Sequence, residues 1–393
     1  MEMASVPRRD FLGGAVGLLA AAATGGCATM AASAPIDPAA AVPKLAYVGC
    51  YTTKERDGHG EGINVYQIDA ATGNWAHLQM LPEVNPSFLT FDRQKHMLYS
   101  AHGDGGEATA YRVDAASGRL AVANKQPTNG KNGVSLAVDA TNRFLILANY
   151  SSGTVSVLPI NTDGSLAPLS DLYTLPGKPG PHKAEQASSH PHDVVFDPRL
   201  RFFVVPDKGL DADFIFRLDT VAGKLAAASP PSVASRPGAG PRHCAFHPTL
   251  SYTYVINELD STITTFRFDP DRGQLTPLQV ITTLPPTFTG DSTTSEIAVT
   301  PSGRFVYGSN RGHDSLAIFS IDAASGVLAP VGWEPTQGKT PRFFAIEPSG
   351  TFLYAANQNS DTIATFRIDQ ATGKLTSTGQ VVKTGSPVCI VFR

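Results

Sequence analysis

The segment Phe344-Ala345-Ile346-Glu347-Pro348-Ser349-Gly350-Thr351-Phe352-Leu353-Tyr354-Ala355-Ala356-Asn357, continued by Asp369 to Gly373-Lys374-Leu375, decides the fold. Two apolar strands flank a Pro-Ser-Gly turn, and the second leaves through Ala-Asn. A further strand then ends at an Asp that opens a glycine turn. Short apolar runs bounded by such turn residues read as β-hairpins.

The unit recurs along the chain. Turn glycines preceded by Asp or Asn stand at Gly73, Gly118, Gly164, Gly223, Gly273, Gly326 and Gly373, spaced 45, 46, 59, 50, 53 and 47 residues apart. The other hairpin turns again at Arg93, Ala140, Pro198, Pro248 and Pro301, which gives six complete copies. The seventh is split: Leu45-Ala46-Tyr47-Val48-Gly49-Cys50 supplies its returning strand, and Pro387-Val388-Cys389-Ile390-Val391-Phe392 its first. One repeat of this length carries four strands, which predicts an all-β, seven-bladed β-propeller with four-stranded blades. The N- and C-terminal strands share a blade, so the ring closes without an open sheet edge. No stretch after the leader keeps the apolar spacing of a helix. The Gly/Pro/His-rich residues 177–189 account for the longest spacing and form a candidate loop over a site.

The totals agree with this reading. The 393-residue chain is 42% hydrophobic and 17% charged, with 36 Gly and 30 Pro, which suits many short strands joined by tight turns. A formal net charge of -3 without any Lys/Arg run offers no basic field, so nucleic acid is excluded as a partner. Residues 1–34 read as an export signal: Arg8-Arg9-Asp10-Phe11-Leu12 is a twin-arginine pattern, and the apolar run from Gly13 to Ala23 is too short to span a bilayer. Residues 35–43 are then a linker and residues 44–393 the propeller. Cleavage would follow Ala32-Ser33-Ala34, or precede Cys27, where a lipid would be the sole membrane attachment. The expected destination is the periplasm, through the twin-arginine export machinery. Four cysteines without a Cys-x-x-Cys spacing signal neither a zinc knuckle nor a redox pair. Cys50 and Cys389 are expected on adjacent strands of the closing blade in diagonal register, which favours two thiols over a disulfide.

In a propeller blade the innermost strand crosses from one face to the other and the second strand returns. Entries of first strands and exits of second strands therefore meet on one face. Counting six residues back from each turn proline gives the entries His192, Arg242, Ser295 and Arg342. Counting ten forward gives the exits Lys208, Glu258, Arg311 and Gln358, with Tyr150 as the matching exit of an earlier blade. Polar residues at such places also serve to satisfy strand-end backbone groups. Three Arg, a Lys and a His against one Glu nevertheless predict a cationic mouth suited to an anionic small molecule, since Arg presents a planar fork to carboxylate or phosphate. His190-Pro191-His192 also reads as a metal pair or as two imidazoles bonded to backbone, but no carboxylate stands at ligand spacing. No Gly-x-Ser-x-Gly elbow, P-loop or Rossmann glycine pattern occurs, so no metal and no cofactor is expected.

Asn85-Pro86-Ser87-Phe88-Leu89, Leu147-Ala148-Asn149-Tyr150, His190-Pro191-His192, Gly238-Ala239-Gly240-Pro241-Arg242-His243, Asn257-Glu258-Leu259 and Ser309-Asn310-Arg311-Gly312-His313 together resemble the seven-bladed propeller lactonase family, over about residues 45–393. That family includes propeller-type 6-phosphogluconolactonases and the fungal carboxymuconate-cyclising enzyme. The resemblance implies a metal-independent catalytic site on His192, Arg242, Glu258 and Arg311, with His190, Arg342, Gln358, Tyr150 and Lys208 as substrate-binding candidates around it. Glu185-Gln186, and the segment Asp207-Lys208-Gly209-Leu210-Asp211-Ala212-Asp213, depart from the family pattern by two positive charges, which argues against a phosphosugar substrate. The leading expectation is an exported, 6-phosphogluconolactonase-like hydrolase of a small, anionic sugar-acid or related lactone. A muconate-type cycloisomerase and a non-enzymatic periplasmic binding propeller are the alternatives, since fold alone does not give function. Glu258, crowded by arginines, is expected to be a poor base. His192 is expected to titrate near neutrality and take the proton from water.

Overall fold

The glycine turns carry the repeat. All seven turn glycines have φ between 64° and 84°, a left-handed conformation that glycine adopts without a Cβ clash. The Asp that precedes most of them accepts backbone N–H bonds from inside the turn, as Asp69 Oδ1 does from Ala71 and Thr72 and Asp369 Oδ1 from Ala371 and Thr372, at 2.8–3.0 Å. Each turn thereby folds a third strand back onto a fourth.

The computed structural model describes residues 44–393; the expected export signal, linker and Cys27 lie outside the described residues. Seven four-stranded antiparallel sheets make up this part, as the spacing predicts. Blade one consists of Pro387–Phe392, Leu45–Cys50, Gly62–Ile68 and Trp75–Pro82, in that order from the innermost strand. Blades two to seven follow at residues 86–127, 133–174, 195–234, 241–282, 293–335 and 341–383. Two single 3-10 turns, Lys54–Arg56 and Gln358–Ser360, are the helices among the described residues.

The C-terminal strand closes the ring: Val48 pairs with Ile390 and Ala46 with Phe392, and Arg393 N–H donates to Leu45 O at 3.0 Å. Cys50 and Cys389 are both free and buried. Cys389 lies opposite Gly49, so the two thiols enter different apolar clusters on opposite faces of the blade, as two unbridged cysteines.

Second strands such as Phe144–Asn149 and Phe352–Asn357 are buried along their whole length, which explains their unbroken apolar sequence. Fourth strands are exposed or half-buried along most of their length. Between blades, Tyr47 donates its hydroxyl to Gly118 O at 2.7 Å, and Tyr307 donates to Gly373 O at 2.6 Å. A second-strand tyrosine of one blade thus locks onto the glycine turn of the next.

One irregularity aims the site. In blade five Pro241 pairs with Asn257 but His243 pairs with Ile256, so Arg242 is an extra residue in a β-bulge. The same slip leaves out Ser87, Val134, Arg342 and Val388 in their blades, and in blade six it falls between Thr294 and Ile297, at Ser295. In blade four the pairing passes from Pro191–Asp207 to Val195–Val204 with the same offset, across His192. A bulge re-aims the side chain of the extra residue.

Candidate active site

Because every innermost strand bulges at the same level, the extra side chains form a ring at one end of the axial channel. All except Ser295 line a narrow crevice, together with Tyr51, Phe88, His243 and Phe343. Blades four, five and seven contribute His192, Arg242 and Arg342; blades one and three contribute Val388 and Val134. The crevice adjoins an open cleft of about 170 Å³, which shares Val134, His192 and Arg342 and adds Arg56, Asn132, Tyr150, Lys208, Glu258 and Arg311. Second-strand exits supply most of that second group, where counting from the turn prolines had put them.

Glu258 is the hub. Its Oε2 lies 2.9 Å from Arg242 Nε and 3.2 Å from Arg311 Nη2, and its Oε1 accepts a 2.9 Å hydrogen bond from Lys208 Nζ. The Arg242 contact is a charge contact off the line of the N–H bond. Burial alone would raise the Glu258 pKa, but Arg311, Lys208 and Arg242 outweigh it and hold the carboxyl far below its usual range. It stays ionised, as expected. Both arginines are also tied to backbone: Arg242 Nη1 donates to Ser295 O and Arg311 Nη2 to Thr294 O, each at 2.7 Å. Burial, Arg311 and Arg342 bring Arg242 down to about 9, which still leaves it charged at neutral pH.

Lys208 also donates to Glu185 Oε2 at 2.6 Å and lies over the Tyr150 ring, 5.6 Å from its centre. Glu185 belongs to the inserted loop, whose Gln186 is buried and bonds to Lys208 O and Asp211 Oδ1. The insertion therefore reaches the cleft edge, and the innermost strand of blade four shrinks to Val195–Phe196. Arg342 stacks over Tyr51, 5.3 Å from its ring centre, and its guanidinium makes no ion pair or hydrogen bond among the described residues. Among the described residues, no group of three or more His, Cys, Asp or Glu is arranged to hold a metal ion.

The family described as "Lactonase, 7-bladed beta-propeller" matches residues 45–392. The chain belongs to that lactonase family. It is 38% identical to the 6-phosphogluconolactonase of Bacillus subtilis over 305 residues, 76% of this chain and 84% of that one. It is 32% identical to the 6-phosphogluconolactonase of Formosa agariphila, over 76% and 85% of the two chains. Among solved structures, the periplasmic gluconolactonase of Pseudomonas aeruginosa superimposes with a TM-score of 0.83 at 34% identity, over 88% of this chain and 98% of that one. The chain is thus an enzyme of the lactonase type.

Not every candidate of this lactonase stands in the cleft. His190 stacks on Tyr150 with ring centres 4.3 Å apart and binds Tyr150 O at 3.0 Å, so it supports the cleft wall rather than lining it. Gln358 starts the 3-10 turn of blade seven and lines neither the crevice nor the cleft. Ser295 is buried and donates to Arg342 O at 2.6 Å. The expectation that His192 titrates near neutrality is corrected. Burial, followed by Arg242, His243, Arg342 and Lys208, pushes its pKa well below the ordinary imidazole range, so it remains neutral. His192 Nδ1 is buried without a partner among the described residues, which leaves Nε2 to the cleft. Sequence reasoning missed Tyr51, Arg56 and His243. His243 directly follows a bulged residue, a place visible only once the register is known.

Proposed function

We propose that the protein is an exported lactonase that hydrolyses the lactone of a small anionic sugar acid. The observation that carries this reading is the unpartnered Arg342 guanidinium in the same crevice as His192 and Arg242. Four cations, Arg242, Arg311, Arg342 and Lys208, face Glu258 and Glu185, so two positive charges are left for a ligand. Arg342 would take the substrate's anionic group, since an Arg fork binds carboxylate or phosphate in two places at once. Arg242 and Arg311, held by Glu258 and by backbone carbonyls, would stabilise the oxyanion that forms as water adds to the lactone carbonyl. His192 Nε2, on a neutral imidazole, would take the proton from that water and return it to the ring oxygen as the C–O bond breaks. Supporting the lactone as substrate are the names of its relatives. Export is supported by the twin-arginine pattern at Arg8-Arg9 and by the periplasmic neighbour in Pseudomonas aeruginosa.

The test is proton release at pH 7 with the purified protein and a panel of sugar-acid lactones, phosphorylated and not, against the spontaneous rate. Acceleration with a product heavier than the lactone by one water supports hydrolysis. A product of unchanged mass from a muconate substrate would assign a cycloisomerase instead, and ligand-induced stabilisation without turnover would assign a binding protein.

A further inference from the structure

Immediately inside the ring of bulged residues, the next position of blade five is His243 and that of blade six is Glu296. Both are buried, with His243 at 3% and Glu296 at 8% exposure. His243 Nδ1 lies 3.0 Å from Glu296 Oε2, and Glu296 Oε1 accepts the Ile297 N–H at 2.9 Å. His243 Nε2 is buried and has no partner among the described residues. The His192 ring stands edge-on to it, with centres 5.1 Å apart, and its Nδ1 is likewise buried and without a partner. Both rings line the crevice, whose free space of about 10 Å³ is the size of one water. Two buried ring nitrogens without partners among the described residues are a costly arrangement unless a water that enters between the rings joins them.

We infer that Glu296 and His243 form a buried positioning pair that sets, through one bridging water, which nitrogen of His192 carries its proton. This rests on the proposed role of His192 as base. When Glu296 is protonated, it donates to His243 Nδ1, so His243 Nε2–H donates to the water and the water to His192 Nδ1. His192 then carries its proton on Nε2 and offers no lone pair to the cleft. When Glu296 loses its proton, His243 Nδ1–H donates to the carboxylate, and the chain of donors reverses. His192 Nδ1–H then points inward and Nε2 is free to act as base. One proton leaves the pair and none is created elsewhere.

The charged and titratable groups that face the pair are Arg242 on the same strand as His243, Asp193 of blade four, the Cys389 thiol of blade one, and Glu258 and Arg342 from the cleft. Asp193 is already held by the Ser135 hydroxyl at 2.7 Å and the Cys244 N–H at 3.1 Å. Burial pushes Glu296 up to about 8 against the opposing pull of Arg242 and the Ile297 N–H, and burial with Arg242 pushes His243 down to about 3. The proton that the switch loses therefore leaves the His243–Glu296 pair just above neutrality.

The experiment has two arms. With a lactone that the native protein hydrolyses, kcat should rise by about 50- to 100-fold between pH 6 and pH 9, after subtraction of spontaneous hydrolysis, as the Glu296 carboxyl with a pKa of about 8 goes from almost fully protonated to almost fully ionised. Glu296→Gln, nearly the same shape, should abolish that rise with KM changed less than about twofold, and so should His243→Asn, which keeps an amide near Nδ1 and nothing at Nε2. Superimposable kcat profiles for native protein and both variants would overturn the inference. The second arm needs no substrate: in ¹⁵N-histidine NMR of the native protein, His192 should change from the Nε2–H to the Nδ1–H form between pH 6 and pH 9, and in Glu296→Gln it should not. A His192 tautomer that ignores both pH and Glu296→Gln overturns the inference even if the protein proves to be no lactonase.

Discussion

Lys208 Nζ lies 2.9 Å from Glu258 Oε1, a buried hydrogen-bonded ion pair that joins blade four to blade five at the edge of the cleft. With Arg242 and Arg311 on the other oxygen, one carboxylate answers three cations. Glu258→Gln would leave those cations facing one another in a poorly solvated site. Removing one partner of a buried pair costs about 3–5 kcal/mol. Urea unfolding at pH 7 should show a loss of that order, together with a large fall in kcat; a variant as stable as the native protein would remove Glu258 from its place as hub.

Glu185 sets how much positive charge the cleft shows. It is half exposed and tied to Lys208 at 2.6 Å. Glu185→Gln should lower KM for a lactone bearing a phosphate or carboxylate by about 2- to 10-fold and leave a neutral lactone nearly unaffected, since only the charged one feels the added field. Equal changes for both would show that Glu185 acts on loop order rather than on charge.

Tyr47, Tyr99, Tyr254 and Tyr307 each lock onto the glycine turn of the next blade, and Tyr354 does not. Tyr47 donates to Gly118 O at 2.7 Å, whereas the Tyr354 hydroxyl, packed against Trp75 at the interface of blades seven and one, is buried without a hydrogen-bond partner among the described residues. Tyr47→Phe should cost about 1 kcal/mol, and Tyr354→Phe should be neutral or slightly stabilising, because it removes an unsatisfied polar group. Thermal unfolding of the two variants side by side decides this, and equal losses would contradict it.

Asp213 gives stability a pH dependence. Burial raises its pKa to about 7, with Asp207 and Asp211 adding to the effect against the Ser235 hydrogen bond. Between the ordinary carboxyl range and about pH 7, the unfolded chain has released this proton and the folded protein has not. The folded state binds more protons there, so its stability falls as pH rises through that window, by about 4 kcal/mol at most. Asp213→Asn should flatten this slope. Urea midpoints at pH 5 and pH 8 measure it, and an unchanged slope would place the titration elsewhere.

Much of this was legible in the chain itself. The glycine turns are local devices with a fixed residue requirement, so counting them counts the blades. The entry and exit positions were found although the bulges that aim them were not foreseen. Nothing in Pro241-Arg242-His243 marks Arg242 as an extra residue, but the slip recurs at the same level in every blade, and a count from the turn prolines lands on it each time. What could not be read depends on neighbours from other blades. Burial and nearby cations, not the identity of the residue, keep His192 neutral, and His243 and Glu296 look like ordinary interior positions until the register shows them one step inside the ring. His190 was read with His192 because they are two residues apart, yet it faces Tyr150.

His192, Arg242 and Arg311 are proposed to act on one lactone where the crevice opens into the cleft. The most direct measurement is kcat for native protein, His192→Ala and Arg311→Ala on a single lactone at pH 8, with circular dichroism to confirm the fold of each. Loss of one oxyanion donor or of the base should lower kcat by about 10²- to 10³-fold. Native turnover in both folded variants would contradict this and move the chemistry away from the cleft and its crevice.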